Sequence, residues 1–385
     1  MRRAVVFGVL LLAFASPAVA AAVGETVSIA VSRTTVPFDR TVHFTGTVSP
    51  AVGGAPIGAY LIEGDSAFVV ASGTTRADGT YDIVGTIRKP GSYVTRARVD
   101  AAGTIAESGS VALAVLPSLT ALFEGSSTIG GGLVLAGRLQ PARSGTLRRT
   151  IGTRTSWVRV GSAGRFRIVV PTIKPGVLTV KLTLTPATGY AAKSATKRRR
   201  ITLPYLARGS SGGSVRLLER MLRDRHYAIP RVDSVYGYDT VQAVWAFQKV
   251  YRLRRTGRVT PALWRLLSRV GAPAPRVRRG NHIEVDKTRQ ILLEVRGGRV
   301  VNVLHVSTGA TGNTPVGVWH VYSKLRGYNA LGMYYSLFFR GGFAIHGYHS
   351  VPSFPASHGC VRIPIWAAYS LFNRWTYGAT VRVFP

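Results

Sequence analysis

At 385 residues the chain is long for one compact domain, and roughly 100 to 200 residues per domain predicts two to four of them. A formal charge of +34, from 50 Lys+Arg against 16 Asp+Glu, accompanies 46% apolar and only 17% charged residues, which excludes a disordered basic tail. One cysteine excludes an intramolecular disulfide and any Cys-rich zinc module.

The first residues read as a signal peptide over 1–20. Arg2 and Arg3 are positive, Val5 to Phe14 is apolar but shorter than the ~20 residues of a spanning helix, and Ala18-Val19-Ala20 has the small-x-small form of a cleavage site. An uncleaved anchor is the alternative. No other stretch is apolar enough to cross a membrane, so the expectation is an exported protein with no stable membrane span after cleavage. Export removes chromosomal DNA, and nucleic acid is then not expected as a partner despite the charge.

From about Val23 to Ser118 short runs alternate apolar and polar residues, as in Thr26-Val27-Ser28-Ile29-Ala30-Val31, and Gly, Pro, Asp and Ser punctuate them. That is the pattern of an antiparallel β-sandwich. Residues 119–204 read the same way, and an internal repeat ties the two together. Ala77-Asp78-Gly79-Thr80-Tyr81 and Lys89-Pro90-Gly91 return at one common offset as Ala163-Gly164-Arg165-Phe166 and Lys174-Pro175-Gly176. Phe44-Thr45-Gly46-Thr47-Val48 answers to Leu135-Ala136-Gly137-Arg138-Leu139 at a slightly larger offset that fits a loop insertion. Two copies of a small Ig-like β-domain, 23–118 and 119–204, are expected. They differ in charge: Val23–Val115 holds 8 acidic and 7 basic residues, whereas Gly125–Leu203 holds 15 basic and no acidic one. Neither carries a catalytic cluster, so a spacer or wall-binding role is the expectation for both.

A Ser/Gly linker at Gly209–Gly213 opens a change of period from 2 to 3.6. Val215, Leu218 and Leu222 fall on one helical face after Ser214 as expected N-cap; Val241, Val244, Trp245 and Gln248 fall on another; Thr260-Pro261 starts a third helix through Leu263, Leu266 and Leu267. Residues 209–270 therefore predict three short helices. Val215-Arg216-Leu217-Leu218-Glu219-Arg220-Met221-Leu222, Asp233-Ser234-Val235-Tyr236-Gly237, Thr240, Ala243-Val244, Phe247-Gln248, Thr256-Gly257, Thr260 and Leu263-Trp264 resemble the peptidoglycan-binding family of bacterial wall enzymes. The chain departs from it where His226-Tyr227 replaces Gly-Tyr and where Ser234 stands in a glycine's place. His226 reads as a turn residue. A second linker, 271–280, is rich in Pro and Arg and is expected to be extended and exposed.

Residues 281–385 return to strands: His282-Ile283-Glu284-Val285, then Ile291 to Val295, a Gly297-Gly298 turn and Arg299 to Val306, then Val318 to Tyr322 and Phe343 to His346, with a helix from about Ile365 to Arg374. The single cysteine sits in Ser357-His358-Gly359-Cys360, with His346 upstream. A thiol attacks carbonyls as thiolate, and a neighbouring imidazole that moves its proton makes Cys/His a pair suited to acyl transfer. Glycine before the nucleophile lets backbone approach a substrate, and N–H groups there suit an oxyanion. A buried structural cysteine is one alternative. A zinc site of His346, His349, His358 and Cys360 is another, although no acidic residue follows Glu294 to act as the base of a zinc hydrolase.

His346-Gly347 followed by Ser357-His358-Gly359-Cys360-Val361-Arg362 resembles the signature of L,D-transpeptidases, the YkuD-like family. Ile283-Glu284-Val285-Asp286 with Gln290-Ile291-Leu292, Val306-Ser307-Thr308-Gly309 and Thr314-Pro315-Val316-Gly317 resemble the same family. The resemblance covers residues 281–385 and implies a β-rich catalytic domain. It makes Cys360 the nucleophile and His346 the proton donor and acceptor, with the Gly347 carbonyl orienting the imidazole. Ser357 and His358 would shape the pocket, the N–H groups of Gly359 and Cys360 would face the oxyanion, and Arg362 would meet a stem-peptide carboxylate. Tyr334 and Tyr335, with Phe338 and Phe339, would lie in a loop flanking the cleft. The implied reaction is acyl transfer from a tetrapeptide stem of peptidoglycan with release of D-Ala, giving 3→3 crosslinks or attaching other amines, without metal, ATP or other cofactor. L,D-carboxypeptidase action or a non-catalytic wall-binding role are the alternatives. The expected partners are stem peptides and anionic wall polymers, and the expected location is the cell wall, periplasm or extracellular space. The sequence sets no oligomeric state.

Overall fold

The computed structural model describes residues 25–98 and 103–385, so the expected signal peptide lies outside the described residues. The chain divides into two compact units. One takes in Gly137–Phe166 and Lys181–Ala195 with the segment up to Thr120; the other comprises Ala121–Ala136, Arg167–Val180 and Thr196–Pro385. The second β repeat thus contributes strands to both.

The first repeat has a small sheet in which Arg40–Ser49 pairs with Thr26–Val27, Ala30–Val31 and Thr80–Ile87. Its other sheet runs in the order Thr35–Pro37, Val111–Leu116, Gly91–Arg98, Pro56–Glu63, Ser66–Thr74. The second repeat reproduces this order. Ser118–Gly125, Leu133–Gln140 and Arg165–Val170 form its small sheet, and Lys193–Ile201, Gly176–Pro186, Gly145–Ile151 and Arg154–Val158 form the other. Local detail repeats as well. Gly79 and Gly164 hold φ of 77° and 78°, in the left-handed region that glycine enters without cost. Their carbonyls accept from Val48 N–H at 2.9 Å and Leu139 N–H at 2.8 Å. A Cβ on Gly46 would lie 2.6 Å from Tyr81 Oη, and one on Gly137 would lie 2.4 Å from Phe166 Cζ. Each copy therefore needs a glycine where an aromatic ring crosses the adjacent strand.

The predicted helices are present as α1 (Gly213–Arg223), α2 (Tyr238–Val250) and α3 (Pro261–Arg269). Thr260 caps α3, its side chain accepting from Leu263 N–H at 3.2 Å ahead of Pro261. Ser214 does not cap α1: the N-cap is Gly212, and Ser214 Oγ donates to the Ile129 carbonyl at 2.7 Å. The two departures from the peptidoglycan-binding pattern both fall at left-handed backbone, with φ of 65° at His226 and 72° at Ser234. That conformation explains the glycine those positions otherwise carry. His226 is an exposed turn residue.

The C-terminal region packs a five-stranded sheet against a four-stranded one. The first has the order Arg299–His305, Ile291–Arg296, His282–Asp286, Thr380–Phe384, Gly317–His320; the second has Ser323–Tyr328, Tyr334–Arg340, Phe343–Tyr348, Val361–Pro364. The last helix, α4, spans Ile365–Arg374. Phe338 and Phe339, expected in a loop, lie in the strand Tyr334–Arg340. The run Ile291-Leu292-Leu293 is apolar without alternation because both faces of its strand are buried. Leu292 joins Ile283, Val285, Val361 and α4 in one core. Ile291, Leu293 and Val295, with Val300 and Val303, join α1, α2 and α3 in another. The helices and the five-stranded sheet thus share a hydrophobic core. The segment 271–280 is mostly exposed, as expected, but it is tied down: the N–H groups of Arg276 and Val277 donate to the buried Glu284 carboxylate at 2.9 and 2.8 Å.

Candidate active site

Cys360 stands one residue before the strand Val361–Pro364, which runs parallel to Phe343–Tyr348 with Ile345 opposite Val361 and His346 opposite Arg362. Paired residues share a face and successive residues alternate, so His346 and Arg362 project from one side and Gly347 from the other. The other side is covered by α4, where a Cβ on Gly347 would come within 2.6 Å of Ala368 Cβ. Only glycine lets the helix approach so closely. Extending the alternation upstream puts Cys360 on the His346 side, and the Arg362 charge acts on both groups.

His346 is buried, and its Nδ1 lies 3.0 Å from the Gly347 carbonyl oxygen. A carbonyl only accepts, so Nδ1 carries the proton and Nε2 is left with a free lone pair. Burial pulls the imidazole pKa down to about 4, Arg362 adds to that pull, and the Gly347 hydrogen bond opposes it. Burial also raises the Cys360 thiol, against the lowering effects of the Ala344 N–H and Arg362. The resting pair is therefore a neutral thiol and a neutral imidazole. The sign of the pH effect follows. His346 is unprotonated from about pH 4 upward, while thiolate accumulates only above the ordinary thiol value. Iodoacetamide reacts with thiolate, so alkylation of Cys360 is expected to keep rising with pH through 9.0. A plateau reached by pH 7 would indicate a resting ion pair instead.

The loop that delivers Cys360 is held by its own side chains. Ser357 Oγ donates to the Cys360 carbonyl at 2.5 Å and accepts from Gly359 N–H at 3.0 Å. Thr314 Oγ1 donates to the Gly359 carbonyl at 2.6 Å and accepts from Gly309 N–H at 2.9 Å. Asn313 Nδ2 donates to the His358 carbonyl at 2.9 Å. Gly359 has φ of 138°, and a Cβ there would lie 2.6 Å from the Phe343 ring. The single N–H of Gly359, expected to face an oxyanion, is engaged by Ser357. Asn313 and Thr314 were not singled out for this part by the sequence. Nothing local marks a residue distant in sequence as a clamp on the nucleophile loop.

Arg362 stacks over Tyr348, its guanidinium carbon 4.2 Å from the ring centroid. The His358 side chain is exposed beside the loop. Tyr334 and Tyr335, expected in a loop, lie in the strand Tyr334–Arg340. Tyr335, at φ of 50°, sets its ring edge-on to Tyr369 and Phe372 of α4, at 5.3 and 5.0 Å. Tyr334 pairs with Gly347 and so shares the α4 face, opposite His346. A tyrosine pair near a signature motif looks like a binding element in one dimension; the strand's register decides which side it serves. His349 is exposed, like His358. Among the described residues no three His, Cys, Asp or Glu side chains gather as a metal-ligand set.

Residues 280–383 match the L,D-transpeptidase catalytic domain, and residues 211–267 match a putative peptidoglycan binding domain. A structure of the L,D-transpeptidase (residues 123–326) from Xylanimonas cellulosilytica is 37% identical, covers 47% of this chain and 97% of its own, with a TM-score of 0.46. The chain belongs to the L,D-transpeptidase family. An L,D-transpeptidase from Mycobacterium tuberculosis is 13% identical over 69% of this chain and 97% of its own, with a TM-score of 0.26. No curated protein matches the chain. The L,D-transpeptidase domain here is thus joined to a peptidoglycan-binding-type domain and preceded by β domains.

Proposed function

We propose that the protein is an exported peptidoglycan L,D-transpeptidase in which Cys360 carries the acyl group. The observation that carries this reading is His346, whose Nδ1 is committed to the Gly347 carbonyl and whose Nε2 is free on the face shared with Arg362 and Cys360. Cys360 Sγ attacks the carbonyl carbon at the L-centre of diaminopimelate or lysine in a tetrapeptide stem. His346 Nε2 takes the thiol proton, and the Cys360 N–H donates to the oxyanion. Collapse of the tetrahedral intermediate expels D-Ala, whose amine receives that proton, and leaves a thioester. An amine of a neighbouring stem attacks the thioester, His346 removes its proton, and the thiol is regenerated with a 3→3 crosslink formed. Water as the second nucleophile gives the carboxypeptidase outcome from the same intermediate. Arg362 suits a stem carboxylate, since a guanidinium offers a two-pronged donor set. Its charge also favours the thiolate.

Intact-mass measurement on the wild type with a tetrapeptide muropeptide tests this. The expected result is an adduct equal to the stem less D-Ala, with product formation insensitive to EDTA. No adduct, or loss of turnover with chelator, would overturn the reading and favour a metal hydrolase.

Retention on the wall is assigned to the second β repeat. Its edge strand Lys193–Ile201 carries Lys197-Arg198-Arg199-Arg200, and Arg198, Arg199 and Arg200 are exposed. Exposed charge on an edge strand also blocks pairing with other strands. Binding of this kind to an anionic polymer is screened within about 10 Å at 0.1 M salt. The triple variant R198E/R199E/R200E is therefore expected to elute from isolated walls at clearly lower NaCl than wild type. Equal, salt-insensitive retention of both would count against it.

A further inference from the structure

We propose that Lys249 and Arg255 of the helical segment are positioning residues for the nucleophile, holding the segment 349–357 that joins the His346 strand to Cys360. The proposal rests on the reading of Cys360 and His346 as the reacting pair. It assigns the helical segment a task inside the active-site framework, apart from any binding of glycan.

Lys249 is a cation with almost no exposure, at 1%, at the end of α2 and against the five-stranded sheet. Its Nζ lies 3.0 Å from the Gln290 carbonyl, 2.9 Å from the Val306 carbonyl and 2.5 Å from His305 Nδ1. His305 Nε2 lies 2.8 Å from the Val351 carbonyl. Since a carbonyl only accepts, Nε2 bears the imidazole proton and Nδ1 accepts from Lys249. The lysine thus has three acceptors, the complement of an ammonium; a neutral amine would leave one unmatched. Desolvation, and after it the Arg255 charge, pulls its pKa down to about 6. A buried amine seated against three acceptors in this way is a rigid tie, because breaking any of these bonds leaves a buried polar group short of a partner.

The groups it ties lead to the nucleophile. Val306 precedes Ser307, whose backbone exchanges hydrogen bonds with Arg362 at 3.0 and 2.9 Å, two residues after Cys360. Val351 lies in the segment between the two catalytic residues. Arg255, just past α2, grips that segment separately, donating to the Ser353 carbonyl at 2.8 Å and to the Thr288 carbonyl at 3.1 Å. Ser307 Oγ donates to the Phe354 carbonyl at 2.7 Å, and the N–H groups of Ala356 and Ser357 both donate to the Thr308 carbonyl at 3.0 Å. Two of the ties on segment 349–357 therefore begin in the helical segment. A segment with little regular structure keeps its shape only through such bonds, and misplacement of a nucleophile by about 1 Å can cost as much as 10²-fold in rate.

The test uses the full chain carrying Lys249→Met, which keeps the stem and removes the donors, and Arg255→Ala, which touches a half-exposed residue and spares the fold if the buried one does not. Acylation of Cys360 is followed by intact mass, melting temperature by circular dichroism, and amide hydrogen exchange by peptide mass spectrometry. For Arg255→Ala the expected result is acylation slowed about tenfold, faster exchange confined to peptides covering 349–357, and an unchanged melting temperature. Wild-type acylation in Arg255→Ala would overturn the proposal. So would a loss accompanied by faster exchange throughout the five-stranded sheet, which would mean general destabilisation. Exchange at 349–357 reports on the ties whether or not the chain transfers acyl groups, so failure of the transpeptidase reading and failure of this proposal give different results.

Discussion

Cys360→Ala is expected to form no adduct with a tetrapeptide stem and to lower transfer by about 10⁴-fold or more, the loss typical when a covalent nucleophile is removed. The substitution should leave the fold intact. Cys360 is only half-buried, and its contact to the Gly342 carbonyl at 3.6 Å is long for a hydrogen bond. The backbone that shapes its loop is fixed by Ser357, Thr314 and Asn313 rather than by the thiol. A surface-type loss of about 0.5 kcal/mol is the expected stability cost. Turnover by Cys360→Ala at the wild-type rate, with the same melting temperature, would remove the cysteine from the mechanism.

His346→Gln is the second large effect, expected at about 10² to 10⁴-fold in acylation, the range for loss of a general base. Glutamine can still donate to the Gly347 carbonyl, so the strand and its contact with α4 persist, but an amide does not take a proton from a thiol. Alkylation separates the two roles of the site. Iodoacetamide at high pH needs thiolate and no base, so Cys360 in this variant should still alkylate there at a rate near wild type while acylation by the stem is lost. Retention of acylation within tenfold of wild type would show that another group, or solvent, moves the proton. Because the imidazole pKa lies at about 4, the ascending limb of the wild-type profile assigned to His346 should fall in the acid range rather than near neutrality.

The legible part of this protein lies where local chemistry fixes local structure. Alternating runs announced the β repeats, and the Asp78-Gly79 and Ala163-Gly164 turns announced that there are two, because each turn needs a left-handed glycine. Thr260-Pro261 announced α3, and the helix expected from about Ile365 to Arg374 has those bounds in the structure. What misled was proximity in sequence. Ser214 has the chemistry of an N-cap, yet a carbonyl at Ile129 takes its hydroxyl. Tyr334 and Tyr335 stand near the motif, yet the register of their strand sends them to the α4 face. Gly359 offers an N–H beside the nucleophile, yet Ser357 takes it.

The sequence by itself determined that the chain is multidomain and mainly β, and it singled out one cysteine and one histidine as the candidate reacting pair, because those residue types in that order have few other uses. Only the tertiary structure decided that His346 and Arg362 share one face of a parallel strand pair, with Cys360 directly before it. It also decided that the peptidoglycan-binding-type helices share a hydrophobic core with the five-stranded sheet of the transpeptidase domain. Lys249 in sequence is one more cation in a chain of charge +34. Burial against three acceptors from segments far along the chain makes it a fixed tie, and spacing along a chain carries no record of which distant carbonyls will converge.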